Sequence, residues 1–362
     1  MIDKSEGPPV GIFRMGSLGD TLVALPAIRA VRQHFPGRRI VYVTQAPASQ
    51  SFLPARDILE GSGLCDSFLV YPAPRLSDVN GLFDALRKVR AEGIREIVYL
   101  TPARRKHQVA RDWLFFFLAG ARRFYGFRAA WNAEAYTVKS PDSPIRSEVD
   151  RILDDVAKDG ISLQGDPTLG LELGLSNEEV GQGEAFLRAR RRRDGQPVIA
   201  MGVGSKMPAK LWPAERYAQV VESLTKQYDP FFVFLGSQAE REVCDQVLAS
   251  AGSGTNAAGD LSVRESCAVL RHCDLYVGND TGTMHLAASE QVPCIALFTA
   301  RTNPGRWYPY GKNHIVLRKT VPCAGCMLEV CDKDNLCLKL IETAEVTAAA
   351  SAVLQGSCTN RA

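Results

Sequence analysis

Four short segments of this 362-residue chain combine carboxylates, lysines, glycines and a histidine in a way that suits catalysis on a phosphate-bearing ligand. In Met15-Gly16-Ser17-Leu18-Gly19-Asp20-Thr21, two glycines permit a tight turn and close backbone approach to a ligand. Asp20 there either caps the following helix or takes the proton of a hydroxyl nucleophile. No earlier glycine precedes Gly16 in the turn, so the segment is not a dinucleotide-binding fingerprint. In Gly202-Val203-Gly204-Ser205-Lys206, followed by Lys210-Leu211-Trp212-Pro213, glycines and mobile lysine charges suit phosphate; a solvated loop anchored by Trp212 is the alternative. In Leu235-Gly236-Ser237-Gln238-Ala239-Glu240, the carboxylate of Glu240 reads first as a partner of a helix N-terminus, with ribose hydroxyls as the other use. The fourth segment, Gly278-Asn279-Asp280-Thr281-Gly282-Thr283-Met284-His285, carries an apolar strand into a small-residue helix whose N–H groups and dipole favour phosphate. His285, one turn in, can face the same ligand, and Asp280, which would repel phosphate, is expected on sugar hydroxyls or on Lys210.

The elements that must present these segments alternate in type. Apolar runs at 10–14, 39–44, 66–70 and 95–101, then 197–203, 231–236, 275–278 and 293–298, read as strands separated by helical patterns. That is a βαβ grammar repeated twice, with a basic run, RARRRRDG at 188–195, between the repeats. The run reads as a helix end entering a solvated linker, which predicts two α/β domains over 1–190 and 191–362. Ligands of such sheets bind at the carboxyl ends of strands, where all four segments fall.

Composition narrows the function classes. Hydrophobic residues make up 46% and charged residues 23%, values of a globular protein, and a net charge of +3 supplies no global field for nucleic acid. The apolar run at 113–120 is too short to span a bilayer, and the first twenty residues lack the apolar core of a secretory signal, so a cytoplasmic protein is expected. In that setting the ten cysteines are expected to be reduced or metal-bound rather than a disulfide framework.

The ordered set Gly19-Asp20, Lys210-x-Trp212-Pro213, Gly236-x-x-x-Glu240 and Asp280-Thr281-Gly282-x-x-His285 resembles the ADP-heptose:lipopolysaccharide heptosyltransferases of glycosyltransferase family nine. Leu25-Pro26-Ala27, Tyr125-Gly126-Phe127 and Trp307-Tyr308-Pro309 extend the resemblance over nearly the whole chain. It implies a GT-B fold: two Rossmann-like domains facing a central cleft, acceptor on the first and nucleotide sugar on the second. It implies inverting, metal-independent transfer from ADP-heptose with no cofactor. Asp20 matches the base, Lys210 the lysine on the donor phosphates, and Thr281, Gly282 and His285 the pyrophosphate turn. Glu240 matches the ribose contact and Asp280 the carboxylate near the heptose. The implied partners are ADP-heptose and a lipopolysaccharide core or lipid A acceptor at the cytoplasmic membrane face, with no nucleic acid. A protein or other glycan acceptor, a sugar-nucleotide epimerase and a sugar-nucleotide-binding protein stand as alternatives.

Arg104, Arg105, Lys106 and Arg122 suit the carboxylates and phosphates of such an acceptor, although basic turns are commonly only solvated. Trp113–Leu118 reads chiefly as core, with membrane contact as the alternative. Cys323, Cys326, Cys331 and Cys337 read as a reduced or redox-sensitive cluster, a structural metal site or disulfides, and in no case as the catalytic centre.

Overall fold

A computed structural model describes residues 7–46, 54–72, 79–102, 104–132, 141–163 and 170–359. The first sheet is built from β1 (Val10–Phe13), β2 (Ile40–Ala46), β3 (Ser67–Pro72), β4 (Glu96–Tyr99) and β5 (Arg123–Tyr125), in the order β3-β2-β1-β4-β5. The second contains β6 (Val198–Gly202), β7 (Phe231–Phe234), β8 (Gly254–Asn256), β9 (Leu275–Asn279), β10 (Cys294–Phe298) and β11 (Ile315–Arg318), in the order β11-β10-β9-β6-β7-β8. Every pairing is parallel. Helices cover both faces of such sheets, which is why β1, β4, β6, β7, β9 and β10 are buried at every position and, apart from Glu96 and Asn279 at strand ends, apolar rather than alternating.

All eight expected strands are present. The three additional ones, β5, β8 and β11, are edge strands only three or four residues long and partly exposed; β5 and β8 lack the apolar run that marks an internal strand, and that of β11, Ile315–Leu317, is only three residues long.

The chain divides into two units, Met1–Thr137 with Glu148–Gly174, and Val138–Ser147 with Leu175–Ala362. The basic run at 188–195 therefore does not mark the junction. The helix Asn177–Arg188 that precedes it is fastened to the second unit, where Glu179 pairs with Arg264 at 2.5 Å and His272 Nε2 donates to the Val180 carbonyl at 3.0 Å. Charge at a helix end is a surface property, and here the part-buried pairing decides which unit owns the helix. Residues 141–147 also pack with the second unit, through Ile145 N–H to the Pro304 carbonyl and Arg318 to Asp142.

Two cores follow from the two sheets. Phe13, Val43, Ile97 and Tyr99 pack with Val109 and Phe116 of the helix Lys106–Leu118 in the first. Ile199, Phe232, Val277 and Ile295 pack in the second with Trp212, Tyr217, Leu338 and Ile341. The helix Lys106–Leu118 corrects the core expectation for Trp113–Leu118. Only Phe116 is buried and Phe115 half-buried, while Trp113, Leu114, Phe117 and Leu118 face solvent.

Candidate active site

In each sheet the strand order reverses beside the first strand of the unit. Loops after β1 and β4 therefore diverge, as do those after β6 and β9, and each pair leaves a crevice at the carboxyl ends of the strands. Three of the four segments lie on these loops, and the third, with Glu240, follows the neighbouring strand β7.

At the first crevice, Asp20 is the third residue of the helix Leu18–Leu22, and Ser17 is its N-cap. Asp20 is thus not the N-cap itself but the returning arm of a capping box: its Oδ2 accepts the Ser17 N–H at 2.9 Å. Gly16 has φ +128°, and a Cβ there would overlap the Asp20 carboxyl group, so the glycine is required both by its conformation and by the carboxylate folded over it. Beneath lies Arg14, fully buried. Its Nε donates to the Asp20 carbonyl at 2.7 Å, its Nη1 to the Leu100 carbonyl at the end of β4, and its Nη2 stands 3.8 Å from Asp20 Oδ1. Burial pushes the Arg14 guanidinium down from its ordinary pKa, and the carboxylates of Asp20 and Glu148 push it back up. Glu148, also fully buried, is held by Arg151, which donates in turn to the Thr101 carbonyl at 2.9 Å. Sequence reasoning missed this buried charge network, because its members are far apart in the chain and Arg14 ends a strand like any solvated residue.

Across the same crevice, Arg104 pairs at 2.6 Å with Asp112, a buried carboxylate that also accepts the Tyr99 hydroxyl at 2.9 Å. Arg105 and Lys106 are exposed at the start of the helix Lys106–Leu118. Arg122 is not brought together with them. It follows the end of that helix, ~20 Å further along at 1.5 Å per residue, and precedes β5, at the amino ends of the parallel strands, whereas Asp20 lies at the carboxyl ends.

At the second crevice, the turn Pro208–Lys210 after β6 and the helix Gly282–Ser289 after β9 meet. Lys210 Nζ lies 2.7 Å from Asp280 Oδ2 and donates to the Asp280 carbonyl at 3.1 Å. Of the two expected contacts for Asp280, the one with Lys210 is therefore formed. Thr281 is the N-cap residue, its Oγ1 3.0 Å from that of Thr283, and Gly282 opens the helix, whose first-turn N–H groups have no intrahelical acceptor. His285 is buried in the same helix. Asn279, fully buried, joins the two loops. Its Oδ1 accepts the Tyr217 hydroxyl at 2.9 Å and the Trp212 N–H at 3.3 Å, and its Nδ2 donates to the Val203 carbonyl at 2.8 Å. Trp212 is buried and donates its Nε1–H to the Ile341 carbonyl, so the anchoring role is real and coexists with the half-buried, ion-paired Lys210 two residues before it.

Glu240 repeats the device of Asp20. Its Oε2 accepts both the N–H and the hydroxyl of Ser237, at 2.7 and 2.8 Å, and a Cβ on Gly204 would lie 2.6 Å from Oε1. The carboxylate thus rests against the β6 loop.

The four clustered cysteines are free thiols. Burial, then the nearby Cys331 and Cys323, raise the Cys337 thiol above its ordinary pKa. Among the described residues, no three His, Cys, Asp or Glu side chains are grouped to hold an ion. What the segment does visibly is brace the Lys210 turn: the Ala209 N–H bonds to the Glu329 carbonyl at 3.0 Å, and Asn335 Nδ2 donates to the Pro208 and Leu211 carbonyls at 2.9 and 3.1 Å.

Residues 114–336 match the family profile described as glycosyltransferase family 9 (heptosyltransferase). A curated relative, lipooligosaccharide heptosyltransferase 2 of Campylobacter jejuni, is 26% identical over 173 residues, 46% of this chain and 53% of that one. The chain thus spans about half the length of the curated relatives it matches first. Among solved structures, a family 9 glycosyl transferase from Veillonella parvula superposes with a TM-score of 0.72 at 22% identity, over 96% of this chain and 98% of that one. The Escherichia coli heptosyltransferase WaaC with ADP-2-deoxy-2-fluoro heptose superposes with a TM-score of 0.62 at 18% identity, over 95% and 99%. The shared architecture is the GT-B fold.

Proposed function

Because the chain belongs to glycosyltransferase family 9, we propose that it transfers a heptose from ADP-heptose to a hydroxyl of a lipopolysaccharide inner-core acceptor, inverting the anomeric centre and using no metal. The observation that carries the reading is Lys210 beside the start of the helix Gly282–Ser289 at the second switch point. A diphosphate leaving group gathers negative charge as its bond to the sugar breaks, and a lysine with a row of helix N–H groups stabilises that charge directly. The WaaC structure with an ADP-heptose analogue supports the choice of donor.

In the proposed step the acceptor oxygen bonds to the anomeric carbon on the face opposite the diphosphate. The carbon–oxygen bond to the β-phosphate breaks, ADP leaves with the electron pair, and Asp20 receives the acceptor's proton. Ser17 and Arg14 hold Asp20 in place for this. Thr281, Gly282 and His285 bind the pyrophosphate, Glu240 the ribose, and Asp280 both orients Lys210 and meets the heptose. Arg104, Arg105 and Lys106 contact anionic groups of the acceptor. On this reading the enzyme works in the cytoplasm as a peripheral protein, because the acceptor carries lipid A. The four clustered cysteines serve the structure rather than the chemistry.

Thermal melts test the donor. ADP should stabilise the protein without added magnesium, by ~2.7 kcal/mol at a hundredfold excess over its dissociation constant. A shift with a uridine or guanosine sugar and none with any adenine nucleotide overturns the assignment.

A further inference from the structure

The outer side of the helix Lys106–Leu118 carries an apolar strip that the proposed transfer does not use. Trp113, Leu114, Phe117 and Leu118 are between 39% and 53% exposed, and the rings of Trp113 and Phe117 stack with centroids 5.2 Å apart. Lys106, Trp113 and Phe117 share one side of the helix by their spacing. At the Lys106 end the strip is continued by Trp131, 43% exposed, with Lys106 Nζ 5.9 Å from its ring centroid. Contiguous exposed apolar surface of this kind marks an interaction site.

Charge identifies the partner. Between residues 104 and 132 there are seven Arg and Lys and a single acid, Asp112, so this stretch alone exceeds the +3 of the whole chain. Asp112 is buried and closed by both Arg104 and Arg111, and Arg105, Lys106, Arg122, Arg123 and Arg128 of the same stretch are exposed. The Arg122 guanidinium lies over the Phe117 ring at 4.8 Å, so cation and aromatic share one surface. We infer that this face docks on an anionic lipid surface. Trp and Phe rings suit the boundary between headgroups and acyl chains, and guanidinium groups suit lipid phosphates. A second copy of the chain fits less well, because a symmetric contact would set this cation cluster against itself. The inference rests on the proposed function only for its purpose, which is to bring the first unit to a lipid-borne acceptor.

The full chain, mixed with vesicles of phosphatidylcholine alone or with phosphatidylglycerol, and with no sugar acceptor present, tests the face by co-sedimentation. Binding is expected on the anionic vesicles only, weakening by roughly tenfold or more as salt shortens the screening length. Leu114→Glu combined with Leu118→Glu, at exposed positions, should abolish binding while melting temperature and transfer to a soluble acceptor are kept. Equal binding by this variant, no binding by the wild type, or a wild-type dimer that the variant converts to a monomer would each overturn the inference. A wild type that transfers heptose but binds no vesicles would sink the docking face and leave the proposed function standing; a wild type that binds vesicles but transfers nothing would do the reverse.

Discussion

Lys210 Nζ sits 2.7 Å from Asp280 Oδ2, and Asp280 is almost wholly buried, so the cation and the carboxylate of the second crevice form one unit. Neither can be removed without consequence for the other. Lys210→Met leaves a buried charge without its partner and should cost ~2 kcal/mol of stability, together with roughly tenfold or more in ADP affinity. Combining it with Asp280→Asn should restore most of the stability and none of the affinity. Denaturant melts and calorimetric titration separate the two effects; recovery of affinity in the double variant would remove Lys210 from the phosphate site.

Asp20 has a structural duty and a proposed chemical one, and two substitutions part them. Asp20→Asn keeps an oxygen for the Ser17 N–H and should melt within ~0.5 kcal/mol of wild type, while turnover falls roughly a hundredfold or more. Gly16→Ala attacks the same carboxylate from below, through a φ of +128° and an overlapping Cβ. It should cost ~2 kcal/mol and lower turnover while ADP affinity in the other unit stays unchanged. An Asp20→Asn variant that turns over normally would reduce Asp20 to the arm of a capping box.

The pair that fastens the helix Asn177–Arg188 predicts a pH dependence. Hydrogen bonds from Arg264, and then from Ser176, lower the Glu179 carboxyl from 4.5 to about 2. A depressed folded-state pKa contributes stability that is complete above the unfolded value and is lost as pH falls toward the folded one. The difference in melting temperature between wild type and Glu179→Gln should therefore be constant above about pH 5 and shrink from there toward about pH 2. A difference that is flat across this window would show that the pair does not hold the helix to its unit.

Much of the fold follows from local chemistry. Of the eight strands legible in the sequence, all but the edge strand β3 are buried on both faces, so their apolar runs stand out in the chain, and glycines with Ser, Asp, Thr and Lys at their carboxyl ends mark the loops that must turn tightly. The placement of Asp20, Lys210, Glu240, Asp280, Thr281, Gly282 and His285 at or just beyond strand ends is legible for that reason, as is the Lys210–Asp280 pair, since a buried carboxylate needs a cation. Only the tertiary structure decided the rest. Arg14 and Glu148 are 134 positions apart and become a buried network under Asp20 only when the strand ends are brought together. Arg122 lies near the Arg104–Lys106 run in sequence, yet the rise of the intervening helix carries it to the opposite, amino ends of the strands. The segment 323–337 looks like a cysteine cluster, but its backbone and Asn335 brace the lysine turn. Trp113–Leu118 is equally apolar whether it faces a core or a membrane; composition sets how much surface must be covered, and the helix's rotation against the sheet sets which residues are left uncovered.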